Sequence, residues 1–149
     1  LAPRLASLFL ILGATACTPS PTGTGGGTTA ATTTPKATTA AGAAAATGAR
    51  LYNGSCSACH QPGGQGMPNV YPSLAGSPLV LGDPAALARW IVKGERPASM
   101  PAGRYAAMMP QFEWLRDEDA AALLTYLRSN FGNAAPAVDA ATVAAALGR

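Results

Sequence analysis

Cys56-Ser57-Ala58-Cys59-His60 constrains this chain more than any other run in it. Two thiols three positions apart, followed at once by a histidine, read as the attachment site of a covalently bound haem. Each thiol can add across one vinyl group of the same porphyrin, and the histidine beside the second is placed to offer Nε2 to the iron. A chain that wraps a flat apolar disc need not build a whole core from its own side chains, because the faces of the cofactor supply part of it. The chemistry implied is the movement of one electron. The same Cys-x-x-Cys spacing also serves redox dithiols and halves of zinc sites. A dithiol motif usually opens a helix after a strand, and no strand pattern surrounds this one. A zinc site needs two further ligands, whereas the chain has one histidine and only one other cysteine, Cys17, far away in a different kind of segment.

Export is the second signal. Arg4 precedes an apolar run from Leu5 to Gly13, and Ala14-Thr15-Ala16-Cys17 follows. A basic start, an apolar stretch short for a bilayer and small residues at the end make an export signal. A buried helix fits less well, because a Thr/Gly tract comes next. Ala14-Thr15-Ala16 suits ordinary cleavage, while the same stretch resembles a bacterial lipobox with Cys17 as the lipidated first residue. Ala14 stands where that pattern usually has leucine. The Thr-rich stretch beyond it and the odd third cysteine favour the lipoprotein, held at a membrane without a spanning helix. Export and haem support one another, since a cytosolic chain keeps such thiols free. Residues 1–17 are therefore read as the signal, 18–44 as a flexible Thr/Ala/Gly/Pro spacer with the single charge Lys36, and 45–149 as one domain. The Ala43–Ala46 run can start a helix by propensity.

A domain of that size is marginal for core, and a haem makes up the difference. The pI near 9.0 does not point to nucleic acid. Between Arg50 and Arg128, seven basic side chains face six acidic ones. No stretch alternates with period two long enough for a strand, so the fold class is all-α. One helix runs into the motif through Ala45, Gly48, Ala49, Tyr52 and Cys56. A second is capped by Asp83 with Pro84 at its first position, carries Leu87, Trp90 and Ile91 on one side, and stops at Gly94. A third opens with Asp117, Glu118 and Asp119 at the positive end of its dipole. It continues through Ala120, Leu123, Leu124, Leu127 and Phe131, with Arg128 in its last turns and Gly132 ending it. A short helix from Asp139 to Leu147 is expected to pack peripherally. Pro62 to Pro78 and Gly94 to Pro110 are Gly/Pro-rich loops suited to wrapping a disc.

His60 is the only histidine, so the other axial ligand must come from elsewhere. A methionine thioether is the obvious donor, soft and favouring the ferrous state. Met67 follows His60 too closely to cross easily to the opposite haem face. Met100, Met108 and Met109 all lie in the long loop before the third helix, and on the residues alone each stays a candidate. Methionines that are not ligands would line the haem edge as adaptable filler.

Taken together, Leu51-Tyr52-Asn53 with Cys56 to His60, Tyr71-Pro72-Ser73-Leu74-Ala75-Gly76, Asp83-Pro84-Ala85, Gly94, Met109-Pro110-Gln111-Phe112, and Leu115 with Asp117-Glu118-Asp119 leading to Thr125-Tyr126-Leu127-Arg128 carry a resemblance. From about Gly48 to Gly132 the chain resembles a bacterial class I single-haem cytochrome c, especially the cytochrome modules of periplasmic quinoprotein-type dehydrogenases. Asn130-Phe131-Gly132-Asn133 echoes the ending common there. The resemblance implies the small class I fold around one haem c held by Cys56 and Cys59, with Met109 as the distal ligand opposite His60. It implies that the carbonyl of Pro72 holds the other nitrogen of His60. It also implies that Gly48 and Tyr126 mark a close crossing of the first and last helices. Arg116 departs from the pattern by standing where a Ser or Thr cap is common, which shifts the cap to Asp117. Met108 is a second departure, since it offers a spare thioether beside Met109.

With both axial positions filled there is no open site for substrate. The expected function is therefore one-electron transfer in the periplasm, through brief encounters with a redox protein donor and acceptor. Met108 and Gln111 would form part of the rim at which those partners meet the haem edge. Permanent attachment to a dehydrogenase or terminal oxidase is the alternative. A five-coordinate haem enzyme or gas sensor would need a polar distal pocket, and there is no second histidine to build one.

Overall fold

Thr39 opens the first helix by accepting a hydrogen bond from the Gly42 amide at 3.3 Å, and the alanine-rich run behind it carries the helix on. The computed structural model describes residues 39–149. The expected export signal, Cys17 and the expected spacer up to residue 38 lie outside the described residues. Helix α1 spans Ala40–Ser55, so residues 40–44, read above as the end of the spacer, are already helical. These first turns are exposed, so propensity and the cap hold them rather than packing. Further along, Gly48 and Tyr52 are buried.

Five more helices follow: α2 (Ser57–His60), α3 (Pro78–Leu81), α4 (Pro84–Lys93), α5 (Asp117–Ser129) and α6 (Ala140–Leu147). Among the described residues there is no strand, only an isolated antiparallel bridge between Met67 and Tyr71. The fold is all-α, as the absence of period-two patterning implied. No described helix is long and apolar enough to cross a membrane.

The α1/α5 crossing is the frame of the molecule. A β-carbon on Gly48 would lie 2.3 Å from the Ala122 carbonyl oxygen and 2.8 Å from Cβ of Tyr126. Only glycine allows that approach, which brings Tyr52 against Tyr126 (ring centroids 5.5 Å apart) and Phe131 (4.9 Å). Helix α5 begins without the expected side-chain cap from Asp117. Arg116 occupies the N-cap position with no capping bond and instead reaches Asp119 at 2.9 Å, while Asp117 pairs with Arg149 at 3.1 Å.

Helix α4 is the part most directly written in local sequence. Asp83 accepts from the amides of Ala85 and Ala86, Pro84 fills the first position, and Gly94 ends the helix in the left-handed conformation at φ 70°. Leu87, Ala88, Ile91 and Val92 are buried, and Trp90 is half-buried. Helix α6 corrects the expectation of a peripheral extension. Asp139 caps it, Val143 is fully buried and Leu147 nearly so, and both belong to the main apolar core with Val138. Its modest sequence signal came from alanines, which pack well against α4 and α5 without forming a strong apolar stripe. Lys93 Nζ donates to the Leu147 carbonyl at 2.7 Å, tying α4 to the end of α6.

Helix α3 falls in a stretch the sequence left unassigned. It is fastened by Arg128, which stands in the last turn of α5 as a buried clamp, 5% exposed. Its guanidinium donates to the carbonyls of Val80 (2.7 Å), Gly82 (2.8 Å) and Pro136 (2.9 Å). One cation thus satisfies three carbonyls at the junction of α3, α5 and the segment leading to α6.

Candidate functional site

Helix α1 gives way to α2 at Cys56, which has φ −118° and ψ −36° between them. Both Cys59 and His60 return their amides to the Cys56 carbonyl, at 3.2 and 2.9 Å. Cys56 and His60 are four positions apart on this turn and Cys56 and Cys59 three, so all three side chains share one helical face. Neither cysteine is in a disulfide. Burial, and then the neighbouring Cys59, push the Cys56 thiol up to about 11. A redox dithiol needs the opposite shift, toward thiolate at neutral pH. Among the described residues no group of three or more His, Cys, Asp or Glu side chains comes together to hold a metal ion, so a zinc site lacks its donors.

His60 is buried, 7% exposed. Burial holds its pKa below the ordinary imidazole value, against a smaller opposing pull from the Pro72 carbonyl. Nδ1 lies 3.0 Å from that carbonyl oxygen. A carbonyl only accepts, so Nδ1 carries the proton and Nε2 keeps its lone pair. Two unpaired thiols and a neutral imidazole with a free Nε2 on one turn fit the donor set of an attached haem.

The chain after His60 is arranged around that contact. Gly66 donates to the His60 carbonyl at 2.9 Å, Met67 and Tyr71 exchange amide bonds across the bridge, and Leu74 donates to the Gly64 carbonyl at 2.7 Å. Gly66 sits at φ 65°, and a β-carbon there would lie 2.4 Å from the Tyr71 oxygen and 2.5 Å from the Pro72 oxygen. Pro72 can face His60 only because position 66 has no side chain. Asn133 fastens the far end of the segment: its amide group donates to Leu74 (3.0 Å) and Leu127 (2.8 Å), and its oxygen accepts from Gly76 (2.8 Å). From the side, the Tyr52 hydroxyl donates to the Gln61 carbonyl. Tyr71 reaches Cys59, whose hydrogen bond and charge raise the phenol pKa.

The structure therefore brings Cys56, Cys59, His60 and Pro72 together. Met109 lies on the loop leading to α5, half-buried against the apolar core. Met108 points outward, 93% exposed, and Met67 is 45% exposed, while Met100 is half-buried. The loop meets the His60 side through Ala106 and Ala107, whose amides donate to the Asn69 and Val70 carbonyls. Sequence reasoning missed Gly66, Tyr52 as a hydroxyl donor, and Asn133 as a clamp. Asn133 had a faint signal in the Asn-Phe-Gly-Asn ending, and the other two had none beyond residue type.

Residues 45–131 match the family described as Cytochrome c. Among curated relatives, the cytochrome c subunit of the quinone alcohol dehydrogenase of Gluconobacter oxydans is 34% identical over 91 residues, covering 60% of this chain and 19% of that protein. The gluconate 2-dehydrogenase cytochrome c subunit of Pantoea cypripedii is 33% identical over 104 residues, covering 68% and 24%. Cytochrome c-552 of Thermus thermophilus is 32% identical over 94 residues, covering 60% of this chain and 71% of the relative. The chain thus spans a quarter or less of the two dehydrogenase subunits and most of the small cytochrome.

Proposed function

The chain belongs to the cytochrome c family and has the role of an electron carrier rather than an enzyme, and on that premise we propose that it is a single-haem, membrane-tethered carrier of the periplasm. The observation that carries the site is the 3.0 Å contact between His60 Nδ1 and the Pro72 carbonyl, beside two unpaired thiols on one helical turn. In this reading Cys56 and Cys59 would hold the porphyrin, and His60 and Met109 would supply the donor atoms to its iron. Bound haem c supplies the one-electron couple between ferrous and ferric iron. Pro72 keeps the proton on Nδ1, fixes the ring and raises the basicity of Nε2. Burial of His60 keeps water and protons from competing for that nitrogen. The exposed Met108 belongs to the rim where partners meet the haem edge.

Substitution of Met109 tests the ligand set. In Met109→Ala the weak near-infrared sulfur–iron band should vanish, and it should persist in Met100→Ala and Met108→Ala. Survival of the band in Met109→Ala would reassign the ligand. Lipidation at Cys17 would supply the tether. Cys17→Ala should then release the exported protein from membranes, and a wild type already soluble after export would rule the anchor out.

A second reading makes the protein a fixed subunit of a dehydrogenase or terminal oxidase. It is favoured by the likeness to two dehydrogenase cytochrome c subunits. Co-purification from native membranes separates the two readings: a stoichiometric enzyme partner supports the subunit, and isolation alone supports the free carrier.

A further inference from the structure

We propose that Tyr52 is a positioning residue for His60, acting through the carbonyl of Gln61. The proposal rests on the reading of His60 as the iron ligand. Gln61 follows His60 directly and has φ 66°, a left-handed conformation in which a β-carbon crowds the backbone. Its side chain makes no hydrogen bond among the described residues that would explain that choice. Its carbonyl, however, accepts two bonds, from the Tyr52 hydroxyl and from the Gly64 amide at 3.0 Å. The His60 carbonyl accepts from Gly66 at 2.9 Å. The bonds from Gly64 and Gly66 lie inside the turn and move with it. Among the described residues, Tyr52 alone hydrogen-bonds to the carbonyls of residues 60 and 61 from another element.

Tyr52 is a fixed point. It is fully buried, and its ring is wedged between Tyr126 and Phe131 at the α1/α5 crossing. Desolvation is the main cause that pushes its phenol up to about 12, so the hydroxyl keeps its proton and remains a donor. The rigid helix crossing is thereby connected through one hydroxyl to the strained turn that sets the imidazole over Pro72. Mere core filling would need the ring and not the oxygen.

Tyr52→Phe separates the two, because it keeps the ring and leaves the Gln61 carbonyl its bond from Gly64. The readout is exchange of the His60 Nδ1 proton with solvent, followed by NMR in the ferrous, haem-loaded full chain. Loss of one buried hydrogen bond should speed that exchange about tenfold in Tyr52→Phe. Tyr126→Phe, which removes a hydroxyl from the same aromatic cluster without a bond to Gln61, should leave it unchanged. Adding Gln61→Gly to Tyr52→Phe should bring the rate back to within about threefold of wild type, since glycine adopts φ 66° without a steric cost. Exchange in Tyr52→Phe equal to wild type, an equal acceleration in Tyr126→Phe, or no recovery in the double variant would each overturn the proposal. If the ferrous wild type shows no His60 ring signals shifted upfield by the porphyrin ring current, the ligand reading fails, and the proposal fails with it.

Discussion

The segment after His60 and the loop that carries the methionines are both rich in glycine and proline, yet they are held in opposite ways. Between Gln61 and Gly76 the backbone bonds to itself repeatedly, and Asn133, in the segment just after α5, and Tyr52, on α1, fasten it from outside. Between Gly94 and Pro110 the bonds are few. Met100 returns to Pro97, Arg96 reaches the Pro101 carbonyl, and Ala106 and Ala107 lean on Asn69 and Val70. The histidine side is determined by the protein alone. The methionine side borrows its order from the histidine side.

Breaking the histidine side should therefore cost most. Gly66→Ala forces a β-carbon into the Tyr71 and Pro72 carbonyls at a positive φ. The conformational and overpacking costs together predict a loss of roughly 3 kcal/mol or more in urea unfolding. Asn133→Ala comes next. It takes the Asn133 bonds from the Leu127 carbonyl and the Gly76 amide and leaves the Leu74 carbonyl only its longer bond from Ser77, at a cost of about 2–3 kcal/mol by the same measurement. Met108→Ala tests the other region and should stay within about 0.5 kcal/mol, because its side chain is almost wholly exposed. A loss of more than about 1 kcal/mol there would show that the methionine loop is tied down after all.

Asp139 gives a small effect and a reference outside both regions. Its carboxyl is held below the ordinary carboxylate value chiefly by the Thr142 amide at the start of α6. A depressed folded pKa contributes stability above the unfolded value of 3.8, and that contribution is lost as pH falls through the lower folded value. Asp139→Ala should lower the thermal midpoint slightly at pH 7, and the gap to wild type should close in acid. A gap that stays constant with pH would mean that the cap acts through shape rather than charge.

How much of this could be read beforehand followed the range of each interaction. The α4 caps Asp83, Pro84 and Gly94 were legible because capping joins residues two or three apart. The Cys56–His60 turn was legible for the same reason. Pro72 entered only through resemblance, since nothing between residues 60 and 72 announces that a loop brings that carbonyl back to the imidazole. Arg128 was legible only as a basic residue in the last turns of its helix, and only the packing of α3 makes it a buried donor to three carbonyls. Helix α6 was underrated because alanine gives little apolar contrast, whatever it packs against.

The sequence by itself determined that Cys56, Cys59 and His60 share one turn, that the fold is helical, and where α4 starts and stops. Each of these is decided by covalent spacing or by bonds within one turn of chain. Only the tertiary structure decided that Gly66 clears the way for Pro72, that Asn133 and Arg128 close the loops, and that the Tyr52 hydroxyl meets the turn after His60. Those contacts join residues whose separation along the chain carries no signal, and whose partners are backbone carbonyls that every residue possesses.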